Sequence, residues 1–440
     1  MTMIASPASN LVGLTRSELE HLAVACGQQP YRGRQLCHGL YGRLLESFGA
    51  FTDLDRGFRE SLAARYEIRN PTVVREIVSR DESIRYLLAL ADGEAIEAVY
   101  MPWRTERRGA RAVATPSGRE LQAPVGAGEE PRTTLCISSQ VGCAVNCQFC
   151  FTGLLGARRN LTAGEIVGQV LAIARARQLW GAAKTQASSP GERPLNPRAA
   201  PRLNIVFMGQ GEPLLNLDAV TKAVAILADT VACGVPLRRI TVSTAGIVPR
   251  IYDLGREPVR PKLAISLNAS NDEQRDALMP INRKYPLSVL LEACRAYPLR
   301  PRERLTFEYV MLDGVNDAEE DAGRVARLLR GLPARVNLIP YNGGPSLNYR
   351  SSPLGRVHRF EHLLRERGVP AFVRISRGQD IMAACGQLSL ASPNEVVASS
   401  FKAQPHRLRP HSDGGQHPAG PAALAPVREE EVRPAGRTVA

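Results

Sequence analysis

Between Thr133 and about Leu390, apolar runs rich in β-formers alternate with segments of helical periodicity. The strand-like runs are Thr134–Ile137, Leu203–Met208, Arg239–Val242, Lys262–Leu267, Leu305–Met311, Val336–Ile339 and Ala371–Ile375. Helical patterns over Ala163–Ala174, Leu217–Ala228, Ser288–Ala296, Ala318–Leu329 and His358–Glu366 separate most of them. Parallel neighbours need a crossover of a dozen or more residues, usually a helix, so this alternation implies a parallel sheet covered by helices. Six or so units predict an α/β fold, a partial (βα)6 barrel, with a doubly wound sheet as the alternative. In either fold, loops at the C-terminal ends of the strands build the site.

The 440-residue chain holds more than this barrel. Residues 1–70 read as a helical accessory domain, with apolar three-and-four spacing over Arg16–Ala25 and Gly33–Leu45 and a break at Gln28-Gln29-Pro30. Residues 71–102 read as a small β meander, with strands at Val73–Val78, Ile84–Leu90 and Ala95–Met101. The Arg-, Gly-, Ala- and Pro-rich residues 103–132 are expected to be a flexible linker, 181–201 a loop inserted into the barrel of 133–395, and 396–440 a disordered tail. No apolar run reaches the roughly 18 residues of a membrane span, and the first ten residues lack a secretory pattern, so a soluble, cytoplasmic protein is expected. A net charge of +13 hints at a polyanionic partner, nucleic acid being the commonest.

Nine cysteines, an odd number in a long chain, favour metal or thiol chemistry over a disulfide framework. Three lie within Cys143-Ala-Val-Asn-Cys147-Gln-Phe-Cys150. Thiolates suit zinc or iron–sulfur clusters. A structural zinc site wants a fourth ligand, yet no His lies between His38 and His358, and the next cysteine is Cys233. On a 4Fe-4S cluster, three thiolates leave one iron open for a substrate or cofactor. A second motif, Asn204-Ile-Val-Phe-Met-Gly209-Gln-Gly211-Glu212-Pro213, is a strand ending in a turn whose glycines allow close backbone approach and whose carboxylate can accept from an ammonium group.

The cysteine spacing resembles the radical S-adenosylmethionine (SAM) superfamily. Thr134 to Cys143, Arg159 to Val167, the Gly211-Glu212-Pro213 turn, Thr241 to Gly246, and Ala384-Cys385-Gly386-Gln387-Leu388 together resemble its adenine-C2 RNA methyltransferases. Tyr31 to Leu36 and Ile96 to Pro102 extend the likeness to about Leu14–Leu388. The resemblance implies a radical-SAM barrel with a 4Fe-4S cluster on Cys143, Cys147 and Cys150, and a SAM pocket of Gly211, Glu212, Ser243, Ser266, Leu267, Asn268 and Asn342. It also implies a substrate adenine in large-subunit ribosomal RNA, in tRNA, or in both.

Adenine C2 is electron-poor, so a radical can add where polar methyl transfer cannot. What the resemblance implies is a route using two SAM molecules. One methylates Cys385, the second yields a radical that activates that S-methyl group, Glu97 takes the C2 proton, and Cys136 releases the product by forming a disulfide with Cys385. A Glu at a strand end is ordinarily solvated surface, and a lone Cys ordinarily packing, which is the reading kept for Cys26, Cys37, Cys233 and Cys294.

Three positions depart from the family: Asn268 stands for the usual His, Gly343 for a Pro, and Gln210 for a Met. RNA contacts are expected from Arg32, Arg34, Arg158, Arg159, Arg283 and Lys284, at a flipped or looped-out base. An external one-electron donor of flavodoxin type and a monomeric state complete the expectation. Rival readings are C8 methylation by the antibiotic-resistance relative, a noncatalytic RNA-binding paralogue, and a zinc-knuckle RNA-binding module.

Overall fold

A computed structural model of the chain describes residues 9–102, 133–180, 203–344 and 347–388. The expected linker of 103–132, the insertion of 181–201 and the tail of 396–440 lie outside the described residues.

The N-terminal part runs β1 (Ser9–Asn10), α1 (Arg16–Ala25), α2 (Pro30–Cys37), α3 (Arg56–Ala63) and β2 (Tyr66–Glu67), with β1 parallel to β2. Thr15 caps α1 in a reciprocal box: its hydroxyl accepts from the Glu18 N–H at 3.3 Å, and the Glu18 carboxylate accepts from the Thr15 N–H at 2.7 Å. Pro30 sits at the start of α2, where its missing N–H costs nothing; it opens the second helix as well as ending the first. The helical stretch expected to run to Leu45 leaves α-geometry at Cys37 and continues as one π-helical turn, His38–Gly42. A Cβ on Gly33 would stand 2.3 Å from the Glu20 Cα, so the close α1–α2 crossing needs that glycine.

Three antiparallel strands follow: β3 (Thr72–Val78), β4 (Ile84–Ala89) and β5 (Ala95–Met101). Next come β6 (Thr133–Cys136) and a hairpin of β7 (Gln140–Gly142) and β8 (Ala157–Asn160), whose loop carries the short α4 (Phe151–Leu154). The chain continues as α5 (Ala163–Ala176), β9 (Leu203–Phe207), α6 (Leu217–Ala228), β10 (Ile240–Thr244), α7 (Val248–Arg256), β11 (Lys262–Ser266), α8 (Asp272–Leu278) and α9 (Leu287–Ala296). It ends with β12 (Leu305–Met311), α10 (Glu319–Leu328), β13 (Ala334–Pro340), α11 (Leu354–Glu366) and β14 (Ala371–Val373).

The meander does not stand apart. β5 pairs with β6, so one ten-stranded sheet runs β14-β13-β12-β11-β10-β9-β6-β5-β4-β3, parallel from β14 to β6 and antiparallel beyond. The chain leaving β14 then crosses to the β3–β4 turn at the opposite edge. There the Gly378 N–H donates to Asp81 Oδ2 at 3.0 Å, the Ser79 hydroxyl donates to Asp380 Oδ1 at 2.5 Å, and the Arg80 N–H donates to Asp380 Oδ2 at 3.0 Å. This polar clasp bridges the two edges of an otherwise open barrel.

Strand alternation divides the sheet into two chemistries. One face carries Ile96, Leu135, Ile205, Val242, Ile265, Phe307 and Leu338, all essentially inaccessible and packed in the core beneath the helices. Following the register from strand to strand, the other face carries Glu97, Cys136, Val206, Ser243, Ser266, Glu308 and Asn337. Polar and reactive residues therefore share the face turned away from the helices.

Candidate active site

The three motif cysteines sit in the β7–β8 loop, a short hairpin beyond β6 rather than on the end of that strand. Gly142 closes its base with φ +76°, and a Cβ there would lie 1.8 Å from the Gly156 carbonyl oxygen. The Cys143 N–H donates to that carbonyl at 2.9 Å, and the Gln148 N–H pins the loop tip to the Leu278 carbonyl of α8 at 2.9 Å. The thiols are half-buried against Val145, Phe149, Ala245, Leu278, Met279 and Tyr341. Burial raises all three, Cys143 to about 12, and the neighbouring thiols and Glu212 push Cys147 further up.

Among the described residues, no three His, Cys, Asp or Glu side chains converge closely enough to share one metal ion. A cubane takes each thiolate on a different iron, which spaces the sulfurs more widely. Three soft donors on one pinned loop, walled by apolar side chains and within electrostatic range of each other, fit that group.

The residues assigned to SAM lie at the strand ends around this loop. Gly211, at φ +97°, lets the backbone pass Gln140, whose Cβ would meet a Cβ on Gly211 at 2.6 Å. Glu212 is 3% exposed. Its Oε1 accepts from the Leu214 N–H at 3.0 Å and its Oε2 from the Ala245 N–H at 2.7 Å, which ties the β9 and β10 ends together. Burial raises its carboxyl to about 7 against the pull of those N–H groups and the Thr244 hydroxyl. Ser243 and Ser266 lie on the polar face. The Leu267 N–H pairs with the Glu308 carbonyl at 2.9 Å.

Asn268 has φ +56°, a left-handed conformation that Asn tolerates better than most side chains. Its Oδ1 accepts from the Val310 N–H at 2.9 Å and its amide faces the Met279 sulfur at 3.3 Å, so its side chain already has protein partners. Asn342 bonds to Ser376 at 2.9 Å and Gln379 at 2.8 Å, on the segment that leads to Cys385. Sequence reasoning missed Arg275 of α8, which is fully buried. It donates to the carbonyls of Ala245 at 2.7 Å, Ser266 at 3.1 Å and Leu267 at 3.2 Å, so one guanidinium holds the β10 and β11 ends in register.

Cys385 is brought to the cysteine loop from far along the chain. The Phe151 N–H donates to the Gly386 carbonyl at 2.8 Å, and the Thr152 hydroxyl donates to the Leu388 carbonyl at 2.9 Å. Gly386 has φ +83° and passes Phe149 closely; a Cβ there would be 3.7 Å from its carbonyl oxygen. Cys385 is accessible to solvent, yet burial raises its thiol to about 11, with help from Glu308 and Cys150.

Cys136 is buried with Val99 and with Ile381, Ala383 and Leu388, the last three flanking Cys385 on both sides, and the two thiols are within electrostatic range. All nine cysteines are free, so no Cys136–Cys385 disulfide is present. Glu97 is not solvated strand-end surface: it lies inside β5, is 1% exposed, and forms an ion pair with the equally buried Arg85 of β4 at 3.3 Å.

The basic candidates divide. Arg159 pairs with Asp92 at 2.6 Å and with Glu165 at 2.8 Å, and Arg158 with Glu94 at 2.7 Å. Arg34 faces Glu20 at 3.7 Å, and Arg32 donates to Gln35 at 2.9 Å and to the Asp53 carbonyl at 2.8 Å. Arg283 and Lys284 are exposed, and no carboxylate among the described residues pairs with either. A cavity of about 320 Å³ opens among Arg304, Arg327, Arg330 and Arg367, before β12 to β14 and away from the cysteines. Arginines at helix C-termini are commonplace partners of the last carbonyls, and nothing there is reactive.

A pinned loop of three cysteines at the mouth of a helix-covered parallel sheet defines a radical-SAM enzyme. The Radical SAM superfamily model matches residues 195–326, and the Ribosomal RNA large subunit methyltransferase N-terminal domain model matches residues 9–68. The chain is 48% identical over 363 residues to the probable dual-specificity RNA methyltransferase RlmN of Koribacter versatilis, covering 82% of this chain and 96% of that one. It is 45% identical over 384 residues to the dual-specificity RNA methyltransferase RlmN of an Anaeromyxobacter species, covering 87% and 91%. A crystal structure of a radical SAM methyltransferase from Sphaerobacter thermophilus superposes with a TM-score of 0.71 at 43% identity, over 86% of this chain and 99% of that one. The chain belongs to the RlmN family of radical-SAM RNA methyltransferases. Among the described residues no helix is long and apolar enough to cross a membrane.

Proposed function

We propose that the chain methylates C2 of a specific adenine in large-subunit ribosomal RNA and in tRNA, through a methyl group carried on Cys385 and a covalent enzyme–RNA intermediate. The observation that carries this reading is the meeting of the Cys385 segment with the cysteine loop, through the Phe151–Gly386 and Thr152–Leu388 bonds, and with Cys136, through Ile381, Ala383 and Leu388, with Glu97 on the same sheet face as Cys136. The dual specificity in the relatives' names supports both RNA classes.

When bound at Cys143, Cys147 and Cys150, a 4Fe-4S cluster supplies the electron that splits SAM into methionine and a 5′-deoxyadenosyl radical. Cys385 first takes a methyl group from one SAM, its thiol proton leaving to solvent. Loss of one hydrogen atom from that S-methyl group, to the deoxyadenosyl radical of a second SAM, lets the remaining methylene bond to C2. Glu97 accepts the C2 proton as the adduct gives up its odd electron, for which the oxidised 4Fe-4S cluster held by Cys143, Cys147 and Cys150 would be the acceptor. The Cys136 thiolate then attacks the Cys385 sulfur; the S–S bond forms, the S–C bond breaks, and the departing carbon takes a proton to become the methyl group. Burial holds Cys136 as a neutral thiol at rest, which protects it until an adduct is in place.

Gly211, Glu212, Ser243, Ser266, Leu267, Asn268 and Asn342 frame the SAM site, and Arg283 and Lys284 contact RNA phosphates. The protein acts as a cytoplasmic monomer supplied with electrons by an external one-electron donor of flavodoxin type.

Anaerobic turnover with methyl-labelled SAM and ribosomal RNA or tRNA, followed by nucleoside analysis, tests the reading. The expected product is 2-methyladenosine; 8-methyladenosine alone overturns it. Cys385→Ala is expected to abolish methylation, and Cys136→Ala to trap RNA on the protein. Complete recovery of free RNA from Cys136→Ala contradicts the covalent route.

A further inference from the structure

Arg85 interrupts the apolar strand Ile84-Arg85-Tyr86-Leu87-Leu88, and its side chain is 3% exposed. Register sets it opposite Val99, on the face that carries Glu97 and Cys136. Its Nε stands 3.3 Å from Glu97 Oε1, and its Nη1 donates to the Met382 carbonyl at 3.1 Å. Met382 has φ +52°, a backbone state that Met disfavours and that an external bond helps to hold. Carrying a guanidinium into a sheet interior is costly, and a pair of apolar residues would stabilise the strands at least as well. A cation beside a buried carboxylate favours its charged form, and the arginine fork serves the Glu97 carboxylate and the Met382 carbonyl at once.

We infer that Arg85 is a positioning residue that links the two ends of the proposed reaction, holding Glu97 ionised as proton acceptor and fixing the Met382 carbonyl so that the segment carrying Cys385, three residues on, stays packed beside Cys136. The inference rests on the reading that Cys385 carries the methyl group and that Glu97 takes the C2 proton. The contacts cross most of the chain, since β4 lies in the accessory meander and Met382 follows the last barrel strand. The meander is thereby part of the reaction centre. Other groups facing the pair are Arg75 of β3, which opposes a second positive charge at Arg85, and the thiol of Cys136 on β6.

Two single-step measurements on the reconstituted enzyme separate the roles: the rate at which Cys385 gains a methyl group, read as a protein mass shift, and the rate at which trapped RNA is released from the adduct across pH 6.5–8.5. Arg85→Gln removes the charge. Relative to wild type at each pH, adduct release is expected to slow by on the order of 10²-fold near neutral pH and to recover as pH rises, because removing the adjacent positive charge makes the Glu97 carboxylate harder to form. Arg85→Lys keeps the charge and loses the fork. Release is expected to stay within about tenfold of wild type, while S-methylation of Cys385 slows by up to about 10²-fold.

Folded variants with wild-type iron content, wild-type S-methylation and pH-independent release overturn the inference. If the glutamine variant does not fold, the lysine variant decides alone, unchanged S-methylation counting against the linkage. Failure of the underlying reading is visible separately, in a wild-type protein that never gains the mass of a methyl group or a Cys136→Ala protein that never traps RNA.

Discussion

A carboxyl as buried as Glu212 holds its proton far longer than a surface glutamate. Its folded value of about 7 lies above the ordinary 4.5, so the folded state binds the proton more tightly than the unfolded state. The stability this contributes is complete below about pH 4.5 and is lost as pH rises through 7. Such a shift amounts to about 3 kcal/mol across that window. In the cluster-free protein, Glu212→Gln is therefore expected to lose ground at pH 5, where one of two backbone N–H partners goes unanswered, and to gain relative stability by pH 8. Thermal unfolding of both proteins at several pH values checks this, and a pH-independent difference would contradict it. Gly211-Glu212-Pro213 is legible in the sequence as a local pattern at a strand end. Arg85 and Arg275 are not: each is one arginine among many, and its meaning lies in carbonyls that the fold, and not the local sequence, places around it.

At the scale of elements, the β7–β8 hairpin determines whether three thiols can act together. Its base depends on Gly142, where a Cβ would strike the Gly156 carbonyl at 1.8 Å, whereas Gly156, at φ +64°, faces open space. Gly142→Ala is expected to open the hairpin, lower iron incorporation after anaerobic reconstitution several-fold, and destabilise by about 1–3 kcal/mol. Gly156→Ala should show only the left-handed backbone penalty, about 1–2 kcal/mol, and retain iron. Equal iron loss in both variants would refute the role given to Gly142. The elements legible in sequence are those with a strong period: Leu305–Met311 and Leu217–Ala228 fall where their patterns put them. Helices α7 and α8 escaped for physical reasons. Pro249, which reads as a breaker in the sequence, sits in the first turn of α7, and α8 buries only Arg275 and Leu278, which leaves no apolar stripe to read.

Over the whole molecule, the consequence hardest to see in the sequence is that the meander and barrel are one sheet. Val99 pairs with Cys136 across a stretch of more than thirty residues that carries no strand pattern, and spacing alone cannot announce such a pairing. The sheet's far edges are bridged by the Asp81–Gly378 and Ser79–Asp380 bonds, so the accessory strands and the Cys385 segment share a fastening. Burial acts to raise the Asp81 carboxyl, but the N–H groups of Ser83 and Gly378 that it accepts hold it down at about 2. Its contribution is thus present above the ordinary 3.8 and disappears only as pH falls through 2, which makes the clasp insensitive to pH anywhere an RNA enzyme works. Because Asp81 is partly solvated, the bond is worth only about 1 kcal/mol, so Asp81→Asn should scarcely move the unfolding midpoint. It should instead loosen one segment. Amide hydrogen exchange over residues 374–388 is expected to quicken about fivefold or more, as a local opening free energy drops by about 1 kcal/mol, while β9 to β12 keep their protection. Alkylation of Cys385 should quicken in step. If the strands of the barrel exchange faster by the same factor, the clasp is a global stabiliser, and its assignment to the reactive segment fails.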